Sequence, residues 1–421
     1  MEEAVEKTTL ENGIRILTKQ MPFVRSASVG IWANVGSRDE QAAANGACHF
    51  IEHMIFKGTR RRSAYDIALE MDAIGGHSNA FTTMEHTCFH GKVLSKHLPR
   101  LVDILTDIFL ASVFDPEEVR RERDVIYEEI RMLEDTPDEY LHLLCGAAVF
   151  GEHPLGRSIL GTRETLSRMD ADSLRQCFHD WYRPESIIIT AGGDVDHQQF
   201  VDLISPTFAA MPSGNELPAR EAPVPKAGVF VSERQLEQVH LCLATRGLAA
   251  SDPRRYSYSL LNILLGGNMS SRLFQQIREN RGLAYNVYSF APAFMDCGML
   301  GVYAAVHQDN VRETIEVILE QMARFRDEKL TPRDLEGAKD YIKGSIFMSA
   351  ESTDSQMLRL AQNEVQFGRY IPLAEVAANI DEVTADHVVD IASHIFRQDH
   401  LALTMLGPVS SGTDYQAILG L

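Results

Sequence analysis

The sequence predicts an α+β chain of two related domains, each an antiparallel-type sheet with packed helices. Three observations carry that prediction. Strand-like and helix-like segments are interspersed along the 421 residues without a strict βαβαβ rhythm. A proline-rich stretch at 211–228, MPSGNELPAREAPVPKAG, separates halves of similar length; proline resists both helix interiors and central strands. The halves also share a pattern. Ala171, Asp172, Arg183, Thr190, Gly193 and Val195 recur, without gaps, as Ala385, Asp386, Arg397, Thr404, Gly407 and Val409. FDPEEVRRERDVIYEEI (114–130) parallels LTPRDLEGAKDYIKGSI (330–346), matching Pro116 to Pro332 and Asp124 to Asp340. Two matches at nearly constant offset indicate a duplicated α/β unit. The expected division is 1–210, a linker at 211–228, and 229–421.

In chain order, GIRILTKQ and SASVGIWANVG read as strands, with alternating or continuous apolar character. ANGACHFIEHMIFKGT has helical spacing through Phe50, Met54 and Lys57, and Gly58 stops it. HLPRLVDILTDIFLASVF and PEEVRRERDVIYEEIRMLED are long helices. Each repeated segment at 169–195 and 383–409 reads as a capped helix, a turn and a β-rich apolar strand. In the second half, RRYSYSLLNILLGG, NMSSRLFQQIREN and DNVRETIEVILEQMARFRDE read as helical.

Fifty-nine acidic residues against forty basic give a formal net charge of −19. That balance argues against nucleic acid or an anionic membrane as a partner. The six cysteines form no CxxC pair and no secreted disulfide framework. The acidic start MEEAVEKTTLENGIRILTKQ lacks signal-peptide and transit-peptide character, and no window holds 18 consecutive apolar residues. A cytoplasmic protein is expected.

The segment HFIEHM carries the chemistry. His49 and His53 are four apart, so one helix face presents both imidazoles, a spacing that lets two neutral nitrogens bind one Zn²⁺. Glu52 lies one residue before the second histidine, placed to take a proton from water at the metal. H-x-x-E-H is a known zinc-peptidase pattern. Adjacent Cys48 is a possible soft ligand, but neighbouring helical residues point about 100° apart, which favours packing. A tetrahedral catalytic site needs a third protein ligand. In ERDVIYEE, Glu122 and Glu129 are seven apart and share a helix face. Glu129 is a plausible ligand, and Glu122 a plausible carboxylate orienting a ligand or proton. Acidic helices usually face solvent, but Val125, Ile126 and Ile130 turn part of this one inward. The second half has no HxxEH, and there Glu122 and Glu129 fall on Ala338 and Ser345. The duplicated unit keeps one metal site.

These residues resemble the pitrilysin, insulin-degrading and mitochondrial processing peptidase family of inverted zinc peptidases, over nearly the whole chain, in a short bacterial-type form. In that family a glutamate ligand follows the second histidine by about 76 residues within E-R-x-V-I-x-x-E, which falls on Glu129. The family's additional catalytic-site glutamate falls on Glu122. GGHSNAFTTMEHTCFH resembles the family's substrate-pairing edge strand, placing Asn79, Ala80 and Phe81 against substrate backbone. SSRLFQQIRENRGLAYNVYS resembles its R-x6-Y motif, here Arg278 and Tyr285. The resemblance implies that this pair holds the scissile carbonyl and substrate backbone. It further implies a half clamshell that needs a second chain. The expected assembly is a homodimer, or a heterodimer, with composite sites: zinc from one protomer, Arg278 and Tyr285 from its partner. The expected function is a zinc-dependent metalloendopeptidase with one zinc per chain, acting on peptides in a dimeric chamber. The alternative is a non-catalytic subunit of a processing-peptidase-like complex.

Overall fold

The computed structural model describes residues 5–211, 218–328, 330–409 and 413–420. Most of the expected linker is described; residues 212–217, within it, lie outside. The first half contains β1 (Val5–Thr9), β2 (Arg15–Gln20), β3 (Ser26–Ala33), α1 (Ala47–Ile55), α2 (Ala64–Ala73), β4 (His77–Thr82) and β5 (Thr87–Leu94). It continues through α3 (Leu98–Ala111), α4 (Pro116–Asp135), α5 (Pro137–Phe150), α6 (Arg163–Ser167), α7 (Ala171–Trp181), β6 (Ile187–Gly193) and α8 (His197–Phe208). The second half contains β7 (Gly228–Glu233), β8 (Val239–Gly247), α9 (Arg255–Asn262), β9 (Ala284–Phe290), β10 (Gly298–Val306) and α10 (Val311–Asp327). Then come α11 (Pro332–Ser349), α12 (Thr353–Phe367), α13 (Leu373–Asp381), α14 (Ala385–Ile395), β11 (Ala402–Gly407) and α15 (Tyr415–Leu419).

The duplication read from the sequence is present in the sheets. The first runs β1-β2-β6-β3-β5-β4 and the second β7-β11-β8-β10-β9. Leaving out β1, the two orders correspond strand for strand. In each, one pair is parallel (β2–β6, β7–β11) and the others are antiparallel. The matched residues explain part of the agreement. Gly193 and Gly407 end equivalent strands with φ of 132° and 134°. A Cβ there would stand 2.2 Å from the Ser26 carbonyl oxygen and 2.6 Å from that of Gln238, so only glycine fits. Val195 and Val409 then donate to the carbonyls of those same glycines. The helices before these strands are capped alike: Asp170 accepts from the Ser173 amide and Thr384 from the His387 amide.

The chain forms two compact units, and they do not follow a single cut at 211–228. Unit one comprises Met1–Arg131, Arg157–Arg220 and Phe347–Pro372; unit two comprises Met132–Gly156, Glu221–Ile346 and Leu373–Leu421. The reason lies in the helices that cover the sheets. α12, from the second half of the sequence, packs on β6, β3 and β2 of unit one. α5, from the first half, packs on β11 and β8 of unit two. Each sequence repeat gives one helix to the other's sheet, a non-local exchange that no local pattern announces.

In unit one both faces of the sheet are buried. Val29, Ile31 and Ala33 of β3 join the core beneath α1, α3, α7 and α8, while Trp32 packs against Met357 and Leu360 of α12. The period-two alternation of a strand sends successive side chains to these two layers. β4 closes one end of this sheet, hydrogen-bonded only to β5 among the described strands. One difference from the sequence reading concerns local geometry. Ile263–Gly267 and Phe274–Glu279, expected as ordinary helix, are π-helical, a wide turn often found at functional sites.

Candidate metal centre

α1 buries Cys48, Phe50, Ile51, Met54 and Ile55 in the core of unit one. His49, Glu52 and His53 occupy the remaining stripe, as i, i+3 and i+4 neighbours. The two imidazole centroids are 4.6 Å apart. α4 lies opposite and turns Val119, Glu122, Ile126 and Ile130 inward, whereas Val125, expected to pack inward, is exposed. Its Glu129 Oε2 stands 3.6 Å from His49 Nε2 and 3.6 Å from His53 Nε2. Ligand atoms from His49, His53 and Glu129 all lie within 4.8 Å of one another, the only such group among the described residues.

These residues fit a zinc ion. Two imidazole nitrogens and a carboxylate oxygen are a donor set zinc takes. Ligand atoms on a tetrahedron with bonds of about 2.0–2.1 Å stand about 3.3–3.4 Å apart, close to the observed separations. Glu129 Oε2 is also buried without a hydrogen-bond partner, a costly arrangement for a carboxylate unless something else occupies it.

A layer of contacts surrounds the three. Glu122 is 6 % exposed. Its Oε2 is 3.1 Å from His53 Nδ1, and its Oε1 accepts from Lys57 Nζ at 2.6 Å. An N–H on Nδ1 bonded to this carboxylate leaves Nε2 with its lone pair facing Glu129. Thr82 Oγ1, at the end of β4, donates to Glu52 Oε2 at 2.6 Å. The start of α1 is held by Glu40, whose Oε2 accepts from the Gly46 amide and whose Oε1 accepts from the Cys48 amide, both at 2.7 Å. Lys57, Thr82 and Glu40 were not identified as site residues from sequence. Lys57 follows His53 by one helical turn, a signal that was available; the Glu40 contact is non-local and had none.

Protonation follows from this packing. Burial, helped by the neighbouring His53, lowers the His49 imidazole to about 4, with Glu129 opposing. It is a neutral donor at ordinary pH. Burial also works against a charged His53, but the neighbouring Glu129 and Glu122 carboxylates outweigh it and raise its pKa. Glu129 is held below its usual range chiefly by the neighbouring His53 imidazole. Burial pushes Glu52 up, against the hydrogen bond from Thr82.

The remaining expected residues lie on two equivalent strands, β4 and β9, and, for Arg278, on the π-helical turn before β9. Asn79, Ala80 and Phe81 are on β4, at the edge of the first sheet. Ala80's amide is taken by Asn79 Oδ1 at 2.9 Å, so it points away from the ladder with β5. Phe81 packs edge-on against Trp32. Tyr285 is on β9, at the matching edge of the second sheet, and is 80 % exposed. The Arg278 guanidinium sits 4.4 Å from the Tyr285 ring centre, so the structure brings this pair together. Arg278 and Tyr285 belong to unit two, the zinc-type cluster to unit one. Cys48 is buried in the core and is not part of the metal-type cluster.

Residues 15–163 match the family model described as Insulinase (Peptidase family M16), and residues 168–342 match Peptidase M16 inactive domain. The chain belongs to the M16 peptidase family. Among M16 relatives, a Bacillus subtilis protein named zinc protease YmxG is 40 % identical over 404 residues, covering 96 % of this chain and 98 % of its own. A zinc protease of Streptomyces coelicolor is 39 % identical over 414 residues, covering 96 % of this chain and 90 % of its own. A protease from Helicobacter pylori shares the fold, with a TM-score of 0.89 at 20 % identity, over 96 % of this chain and all of the other. A Pseudomonas fluorescens structure titled peptidase M16 inactive domain matches equally well, with a TM-score of 0.89 at 20 % identity over 97 % of this chain. The M16 fold of two related α+β units is therefore the fold of this chain. No helix among the described residues is long and apolar enough to cross a membrane.

Proposed function

We propose that this chain is a zinc-dependent endopeptidase acting on peptides or unfolded segments, with one zinc per chain held by His49, His53 and Glu129. The observation that most supports the reading is the buried, partnerless Glu129 oxygen facing two imidazole nitrogens. Bound there, zinc would lower the pKa of a water to about 7 and polarise the scissile carbonyl.

Glu52 takes the proton of the attacking water. Its burial-raised pKa brings the base nearer the working pH. Thr82 occupies one carboxylate oxygen, which leaves the other for the proton. Glu52 then delivers that proton to the leaving amine nitrogen. Glu122 holds His53 in the tautomer that keeps Nε2 open. The substrate lies in extended form beside β4 as an added strand, and the Ala80 amide exchanges Asn79 Oδ1 for a substrate carbonyl. Backbone pairing of this kind makes little demand on substrate sequence. Arg278 and Tyr285, supplied by a partner protomer in a homodimeric or heterodimeric chamber, hold the substrate backbone and scissile carbonyl. A cytoplasmic setting is part of this reading.

Metal content measured with cleavage of a quenched fluorescent peptide tests the proposal. Glu129→Gln should lose zinc on gel filtration and lose chelator-sensitive cleavage with it. Zinc content equal to wild type would remove Glu129 from the ligand set.

A further inference from the structure

Glu40 is 3 % exposed and lies in the segment between β3 and α1. Its carboxylate reaches forward to the start of α1. Oε2 accepts from the Gly46 amide at 2.7 Å and from Asn45 Nδ2 at 2.9 Å, and Oε1 accepts from the Cys48 amide at 2.7 Å. The first amides of a helix have no partner within it. Here Gly46, at φ 98°, occupies the cap position and has no side chain to offer, so the capping oxygens come from six and eight residues upstream. Asn45 Nδ2 also donates to the Ser158 carbonyl, and Arg157 donates to the Glu40 carbonyl oxygen. One buried carboxylate thus joins the pre-helix segment, the first turn of α1 and, through Asn45, the 157–158 loop.

The residue after Cys48 is His49, and the same helix carries Glu52 and His53. Moving the first turn of α1 moves all three against Glu129, which stands on a different helix. We propose that Glu40 is a positioning residue for the metal centre: its carboxylate sets the place of α1 so that the His49 and His53 nitrogens meet the Glu129 oxygen. The inference rests on the zinc reading given above, but its geometry concerns α1 with or without metal. Burial raises the Glu40 pKa to about 7 against the opposing bonds from Cys48, Gly46 and Asn45. Keeping it charged therefore costs the fold stability, which separates a positioning role from a merely structural one.

Glu40→Gln is the direct test, because the amide oxygen replaces one acceptor and the amide NH2 presents donors where the other stood. Three readouts at pH 8 are compared with wild type: global unfolding, amide hydrogen exchange of zinc-free protein, and zinc affinity by competition with a chelator. The expected result is global stability unchanged or higher, exchange within 46–53 about tenfold faster, and zinc affinity about tenfold weaker. Wild-type exchange and affinity in E40Q, or losses that only track a fall in global stability, would overturn the proposal. Should E40Q fail to fold, Glu40 is a structural residue and the proposal falls with it. Failure of wild-type protein to bind zinc would count against the function proposed above, while the zinc-free exchange would still decide the role of Glu40.

Discussion

At the scale of single residues, the site works through pairs that restrict one another. His53 is the clearest case. Its Nδ1 is fixed by Glu122, and Glu122 is fixed by Lys57 at 2.6 Å. Lys57→Met should leave Glu122 buried without its cation and loosen His53. We expect zinc affinity to fall about tenfold with the fold intact, measured by chelator competition; no change would show that Lys57 is an ordinary surface cation. Protonation adds a second expectation. The His53 pKa is raised above the ordinary 6.5, and proton and metal compete for the same ring. Apparent zinc affinity should therefore fall as pH drops through a window that opens above 6.5. His49, lowered to about 4, takes no part until far lower pH. Glu40 has the opposite consequence for stability. Its folded pKa of about 7 exceeds the ordinary 4.5, so the folded state holds this proton more tightly. Its contribution is fully present below about 4.5 and is lost as pH rises towards 7, by about 3 kcal/mol at most. Glu40→Gln should flatten that part of the stability–pH curve relative to wild type; parallel curves would contradict it.

At the scale of elements, the sequence was legible wherever the signal was local. The i, i+4 histidines, the seven-residue spacing of Glu122 and Glu129, and the apolar strands all report on the segment that contains them, and α1, α4, β3 and β6 follow. The contacts made by Thr82 and Glu40 join segments 30 and 6–8 residues apart, and a side-chain bond between two such segments leaves no periodicity. The π-helical turns before and within the Arg278 segment were illegible for a related reason: they share the apolar spacing of an α-helix over so short a run. The edge strand yields its own prediction. Ala80's amide faces away from β5, so Ala80→Pro should leave the β4–β5 ladder intact. It would remove one backbone bond to an extended substrate. KM for peptide should rise about fivefold to tenfold, with zinc content unchanged. An unchanged KM would argue that substrate does not pair along β4.

At the scale of the whole molecule, duplication explains more than the repeat alone foretold. Matched glycines and caps gave away two similar units, and the sheets have the same strand order. The exchange of α5 and α12 between repeats was hidden, because a helix pattern states that one face is buried but not against which sheet. The site shares the asymmetry of the duplication: the first unit keeps the metal-type cluster, and the second carries Tyr285 on the equivalent edge strand and Arg278 in the π-helical turn before it. If the working site combines both from different protomers, mixing equal amounts of His49→Ala and Arg278→Ala chains should restore up to about a quarter of wild-type activity, because random pairing makes about half the dimers mixed and each mixed dimer has one intact site of its two. No recovery in a mixture shown to contain heterodimers would rule out the shared site.

The central claim is that Glu52 activates water at a zinc held by His49, His53 and Glu129. Zinc content and peptide cleavage measured side by side for wild type and Glu52→Gln test it most directly. The account predicts one zinc per chain in both proteins, cleavage by wild type that a chelator abolishes, and a loss of about 10²–10⁴-fold in kcat for E52Q. Near-normal cleavage by E52Q, or by wild type stripped of zinc, would contradict it.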